Sequence, residues 1–281
     1  MGLHVEAMTD AAAAIERAQG YLAADPVGLN VIWSVMKQRA DSAAPGRYWI
    51  LESDGDTAGI VLESPPGYSA AVAPMSHEYA DAMAGAIAGE GHLLSGAAGE
   101  ACTASAFAGC WTERVRTVAV VADAQRLYAL DRLVQPQAVP GQLRRVKTSE
   151  RELIIRWWAA FQVETGEPPS DVSSSVAAGM STGRLFVWDD GGARCLARAT
   201  EALGGVCRIG VVFTPPQWRR RGYAAACVAA LCEQVRIEED ANSVLYAQLG
   251  NPGSNAIYRR LGFKAVSEML VYRFDDIASG R

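Results

Sequence analysis

Between Arg184 and Thr214 the chain holds three strand-like runs, RLFVW, ARCLARATE and VCRIGVVFT, separated by DDGG and LGG. Paired glycines supply the left-handed backbone that tight hairpins need, so these runs form an antiparallel meander. The meander stops abruptly. Pro215 and Pro216 lack the amide hydrogen a further strand would use, and the chain must turn there. It then runs through Arg219-Arg220-Arg221-Gly222 into the small-residue helix YAAACVAAL.

The surrounding elements follow from periodicity. Upstream, a short strand LRRV precedes a helix, ERELIIRWWAAFQVE, with Leu153, Trp157 and Phe161 at helical spacing and Ser149 as its N-cap. Adjacent Trp157 and Trp158 face different ways, one into the core and one toward a cleft. A loop, TGEPPSDVSSS, leads to a second helix near Val172 to Met180. Downstream, the long helix runs from Tyr223 to about Glu238, with Ala225, Val228, Cys232 and Val235 on one stripe. A strand SVLYAQL, a helix from about Asn251 and two closing strands, KAVSEM and LVYRF, complete the order β-α-α-β-β-β-α-β-α-β-β.

The N-terminal half repeats this order. LHVEAM is a strand, a helix capped by Thr9 or Asp10 follows, and Leu29, Ile32, Trp33 and Met36 mark a second helix. RYWILES and TAGIVLE flank the Asp54-Gly55 turn, and YSAAVAP is a third strand. Next come a helix over Ser76 to Ala88, a strand HLLSG, a helix AAGEACTASAFAGCW, and two strands RTVAVVA and LYALDRLV. The expected organisation is an N-terminal domain over about 1–135, a linker at 136–141 rich in proline, and a second domain over 142–281. One large α/β domain is the alternative.

The net charge of −5 argues against broad attraction to nucleic acid, whose binding is dominated by phosphate neutralisation. No basic-then-apolar leader and no long apolar run are present, which leads to the expectation of a cytoplasmic protein without membrane contact. Cys102, Cys110, Cys195, Cys207, Cys227 and Cys232 sit in apolar settings and are expected as buried thiols. His4, His77 and His92 lack zinc spacing, so no metal is expected.

The chemistry is concentrated at the start of the long helix. Its first amides have no internal acceptors and carry the positive end of the dipole, which makes an anion site. Gly222 allows close approach, Ala224 removes bulk, and Arg219, Arg220 and Arg221 can add charge. Neither Gly-x-x-x-x-Gly-Lys-Ser/Thr nor Gly-x-Gly-x-x-Gly is present. About thirty residues later comes GNPGSNAIYRRLGF.

Together the two segments resemble the GNAT superfamily of N-acetyltransferases. Its pyrophosphate signature, Arg/Gln-x-x-Gly-x-Gly/Ala, is matched by Arg219, Gly222 and Ala224. Its later segment is matched by Asn251, Ser254, Tyr258 and Leu261-Gly262-Phe263. The resemblance covers roughly residues 142 to 274 and implies an α/β (α+β) chain of tandem GNAT-like folds, each a mixed, mostly antiparallel sheet flanked by helices. It implies acetyl-CoA as co-substrate and a primary amine, small molecule or peptide, as acceptor. The fourth and fifth strands of the second half would splay. The cofactor would then lie against Val212, Phe213 and Thr214, its pyrophosphate on the amides from Arg221 through Tyr223 to Ala224, with Asn251 and Asn255 holding its arm. Tyr258 would be the general acid, and the Val212 amide would polarise the acetyl carbonyl.

Two departures stand out. VCRIGVVFT carries no carboxylate to act as base, and Glu201, Glu164 and Glu167 are the candidates nearest in sequence. The N-terminal half has APMSHEYADA where the arginine-glycine motif should recur and no tyrosine in ASAFAGCW. That half is expected to bind no acetyl-CoA. A catalytically silent CoA-binding scaffold is the alternative to an enzyme. No cysteine lies beside a histidine in sequence, which favours direct attack over a covalent route.

Overall fold

The computed structural model describes residues 2–42, 45–167 and 170–276. By compactness the chain divides into two units, residues 1–126 with 267–281, and residues 127–266. Part of the loop expected around Pro168 and Pro169 lies outside the described residues.

In the first unit, strand β1 (Leu3–Met8) pairs antiparallel with β2 (Arg47–Ser53), which pairs with β3 (Asp56–Glu63) through the Asp54-Gly55 turn. Both turn residues have positive φ, as a tight hairpin demands. Helices α1 (Ala11–Ala24) and α2 (Asn30–Ser42) lie between β1 and β2 in sequence. Of the two caps expected for α1, Asp10 serves: its Oδ1 accepts from the amides of Ala12 and Ala13 at 2.8 and 3.1 Å. Strand β4 (Ala70–Val72), α3 (His77–Gly89), β5 (Gly96–Glu100) and α4 (Ala101–Val115) follow.

The expected strand HLLSG is displaced: GAAGE is the strand, and the helix begins at Ala101. Propensity hides this, because glycine and alanine are poor strand formers. Packing explains it. A β-carbon on Gly99 would stand 2.6 Å from the Val72 carbonyl oxygen, and one on Gly96 would stand 2.1 Å from that of Tyr272.

The closing strands also differ from expectation. RTVAVVA and the LYAL of LYALDRLV belong to a single strand, β6 (Thr117–Leu130), and KAVSEM and LVYRF to a single strand, β12 (Phe263–Asp276). Neither join contains glycine, proline or asparagine, so nothing breaks the extended backbone. The first unit's sheet is completed by the end of β12, where Met269–Arg273 pair with Glu100–Gly96.

The second unit contains β7 (Gln142–Arg145), α5 (Arg151–Thr165), α6 (Val172–Ser181), β8 (Leu185–Asp189), β9 (Ala193–Ala199) and β10 (Val206–Phe213). Helix α7 (Tyr223–Glu239), β11 (Asn242–Gln248) and α8 (Pro252–Arg260) come next. Its strands are ordered β6-β11-β10-β9-β8-β7. The segment 136–141 lies inside this unit.

Two cores cover the faces of the second unit's sheet. On one face, Cys227, Leu231, Cys232 and Val235 of α7 pack with Cys207, Ile209 and Leu245. On the other, Ile154, Trp158 and Val176 from α5 and α6 pack with Val187, Leu196 and Phe213 of the sheet. Five of the six cysteines are buried, but Cys102 is exposed, contrary to expectation. It stands second in α4, on the side turned from the core.

Gly262, at the turn between α8 and β12, has φ of 96°, and a β-carbon there would lie 1.9 Å from the Arg132 carbonyl oxygen. Gly262→Ala is therefore expected to destabilise the fold by more than about 1 kcal/mol, read as a lowered denaturation midpoint.

Candidate functional site

The site begins with a bulge. On β10, Val211 and Val212 together face Ala197 of β9, because the register steps from Gly210↔Arg198 to Phe213↔Leu196. Val211 has φ of 51°, a conformation that a β-branched residue rarely adopts. On its other edge β10 pairs in parallel with β11 only from Val206↔Asn242 to Ile209↔Leu245. Both strands continue without pairing to each other, β10 to Phe213 and β11 to Gln248. The expected splay is thus present, and it begins one residue before the bulge.

At the end of β10, Phe213 is buried and Val212 and Thr214 are half-buried. Thr214 Oγ1 is out of solvent without a hydrogen-bond partner among the described residues. Such an orphan is costly unless a ligand completes it. After the turn at Pro216–Trp218, Arg220 has φ of 62° and Gly222 φ of 86°.

Gly222 is the N-cap of α7, and no side chain caps that end. The first helical bond in this turn is from the Ala226 amide to the Gly222 carbonyl, so the amides just ahead of it are available to an anion. A β-carbon at Gly222 would stand 2.8 Å from Val139 Cγ1, in addition to the strain of its φ.

The three arginines differ. Arg219 donates from Nε to the Thr214 carbonyl at 2.8 Å and from Nη2 to both oxygens of Glu164 at 2.6 and 2.7 Å. It therefore locks the turn, and it occupies one of the candidate bases. Arg221 stacks over Trp218 at 5.0 Å, and Arg220 is exposed. Tyr223 is buried and donates its hydroxyl to Asp190 Oδ2 at 2.6 Å; that bond, first, and burial raise its pKa.

The asparagines are built into the scaffold. Asn251 caps α8, its Oδ1 accepting from the Ser254 amide at 3.0 Å. Asn255 is buried; its Nδ2 donates to the carbonyls of Gln248 and Asn251 at 2.8 and 2.7 Å, and its Oδ1 accepts from the Tyr128 hydroxyl at 2.8 Å. Both amide hydrogens are thereby used. Tyr258, one turn on, is buried against Tyr128 and Phe263. Burial, reinforced by nearby Cys195, Cys227 and Cys232, pushes its phenol well above the usual tyrosine range, so it stays protonated.

Glu201 is exposed and follows β9 at the turn leading into β10, the opposite end of that strand from Phe213. Glu167 is exposed beyond α5. The structure therefore brings no sequence-expected carboxylate to the bulge with free oxygens.

Sequence spacing also concealed a cysteine–histidine contact in the first unit. Cys110 Sγ lies 3.8 Å from His77 Nε2, across α3 and α4. Burial and Asp81 raise the thiol's pKa, which makes it a poor nucleophile.

The helix equivalent to α7 in the first unit starts differently. Ser76 caps α3 by accepting from the Tyr79 amide at 3.3 Å, and Glu78 sits in the first turn. Its amides are partly satisfied from within, and an acid faces any incoming anion.

The model of the FR47-like protein family matches residues 194–271, which include every residue of the two motifs. No curated protein matches the sequence. Among solved structures, the chain resembles an acetyltransferase of the GNAT family from Colwellia psychrerythraea, with a TM-score of 0.63 and 11% identity over 97% of this chain and 100% of that one. It also resembles a GCN5-related N-acetyltransferase from Sphaerobacter thermophilus, with a TM-score of 0.58 and 16% identity over 96% and 95% of the two chains. A tandem GNAT protein from the clavulanic acid biosynthesis pathway gives a TM-score of 0.56 and 14% identity over 96% and 98%. The fold is the one that these GNAT-family structures have.

Asn255→Ala would leave the Tyr128 hydroxyl in the interior without its acceptor and take one of two donors from each of the Gln248 and Asn251 carbonyls, which keep a main-chain amide. The expected cost is about 1–3 kcal/mol, measured by denaturant unfolding of the full chain.

Proposed function

We propose that the chain is an acyl-CoA-dependent N-acyltransferase, moving acetyl from acetyl-CoA to a primary amine by direct attack. The observation that carries this reading is the conjunction of splayed strands, an orphaned Thr214 hydroxyl and an uncapped helix start on one continuous stretch, Gly210–Ala224. Acetyl-CoA, when bound, supplies a thioester activated toward amines. The pyrophosphate is assigned to the amides from Arg221 to Ala224, with Arg220 and Arg221 adding charge from outside. Gly222 keeps that approach open, and Arg219 holds the turn in shape through Glu164 and Thr214.

The unpaired edge of β10 at Val212, Phe213 and Thr214 is assigned to the cofactor's amide-bearing arm. The Val212 amide is the donor for the developing oxyanion. Tyr258, kept protonated by burial, is the proton donor to the leaving thiolate. Asn251 and Asn255 fix α8, and so Tyr258, in place. With Glu164 engaged by Arg219, the amine proton is assigned to water or a main-chain carbonyl rather than to a side-chain base. In the first unit, the capped α3 and its acidic first turn support the reading that this unit binds no acetyl-CoA.

Glu164's ion pair and the lack of a β10 carboxylate also favour a second reading, a CoA-binding scaffold without turnover. Thiol release against a panel of amines separates the two. Turnover is expected for the wild type, with Tyr258→Phe lowering kcat by about 10²-fold and leaving acetyl-CoA affinity intact. Binding with no turnover of any amine supports the scaffold. In calorimetric titrations, Gly222→Val is expected to weaken acetyl-CoA more than Arg220→Ala does, because the first deforms the main-chain cradle and the second removes an exposed charge.

A further inference from the structure

Arg198 on β9 lies opposite Gly210 of β10, and the Thr200 amide donates to the Arg208 carbonyl at 2.9 Å. Arg198 and Arg208 are thus diagonal neighbours on adjacent antiparallel strands and project from the same face. It is the face covered by α5 and α6, since Leu196, two residues before Arg198, packs there with Ile154 and Trp158. Trp158 receives the Arg198 guanidinium over its ring at 5.7 Å. Arg198 Nε is out of solvent without a hydrogen-bond partner, and Arg198 makes no ion pair among the described residues.

A cation held this way is unfavourable without an opposite charge. Burial and then the charge of Arg208 bring Arg198 down to about 10, so it remains charged at neutral pH. The arginine is nevertheless kept next to the bulge. Gly210 precedes Val212 by two residues, at most about 7 Å along the strand and less through the bulge at Val211. An anion at Arg198 could therefore belong to the same small molecule as an amine at the reaction site.

We propose that Arg198, with Arg208 beside it on the neighbouring strand, forms an anion subsite for the acceptor, which is an amine bearing a carboxylate or a phosphate. The subsite rests on the acyltransferase reading for its role, but its binding chemistry can be measured separately. The two arginines are specificity residues here and take no part in the bond exchange. Arginine's planar fork suits both anions, and Trp158 holds the Arg198 fork in orientation.

The test uses the full chain and matched amine pairs, β-alanine with β-alaninamide and O-phosphoethanolamine with ethanolamine. With acetyl-CoA, kcat/KM is expected to be at least about tenfold higher for one or both charged members than for their neutral partners. Arg198→Gln is expected to collapse that ratio toward one, mainly through KM, and Arg198→Lys to restore part of it. Because Arg198→Gln removes a buried charge, its melting temperature should not fall. Equal turnover of charged and neutral amines, or a ratio unmoved in Arg198→Gln, overturns the proposal.

Where no amine is turned over, calorimetry with β-alanine and O-phosphoethanolamine decides. Binding to the wild type that is lost in Arg198→Gln supports the subsite while the acyltransferase reading fails. Absence of binding, or equal binding to both proteins, overturns the subsite. The carboxylate and phosphate arms show which anion is preferred.

Discussion

The site depends on where β10 stops pairing with β11. A parallel pair normally continues as long as both strands do, because each added residue satisfies main-chain groups. Here the ladder ends at Ile209 and Leu245 while both strands run on. The left-handed Val211 enforces the break by turning the β10 edge, at a cost on the order of 1–3 kcal/mol. Burial of Phe213 between α5 and the sheet holds the strand in that conformation. Polar main chain is thereby presented to an incoming molecule instead of to a neighbouring strand.

The two units start their corresponding helices in different ways. Helix α7 starts at a left-handed glycine with no side chain over its amides. Helix α3 starts at Ser76, whose hydroxyl takes the Tyr79 amide, and adds Glu78 in its first turn. Both starts are stable, for different reasons. The first leaves its donors to a ligand, and the second satisfies one from its own side chain and brings a repelling charge.

Much of the fold was legible because hairpin glycines and helical stripes are local signals. The meander of β8, β9 and β10 and the stripe of Val228, Cys232 and Val235 are of that kind. β5 was not legible, since its Gly-Ala-Ala-Gly is dictated by close neighbours, and the continuity of β6 and β12 rests on pairing partners remote in sequence. In the site, Gly222 could be read directly from its place between a broken strand and a helix. The engagement of Glu164 by Arg219, fifty-five positions away, could not. Nor could the use of Asn255 to tie Tyr128 to α8, or the convergence of Arg198 and Arg208, which requires the strand register. No helix among the described residues is long and apolar enough to cross a membrane.

The most direct test of the central claim is amide hydrogen exchange on the full chain with and without acetyl-CoA. Slowed exchange is expected at residues 211–214 and 221–225, where the main chain is assigned to the cofactor, with no change in the first turn of α3. Unchanged exchange in both stretches, or protection centred on α3, would contradict the account.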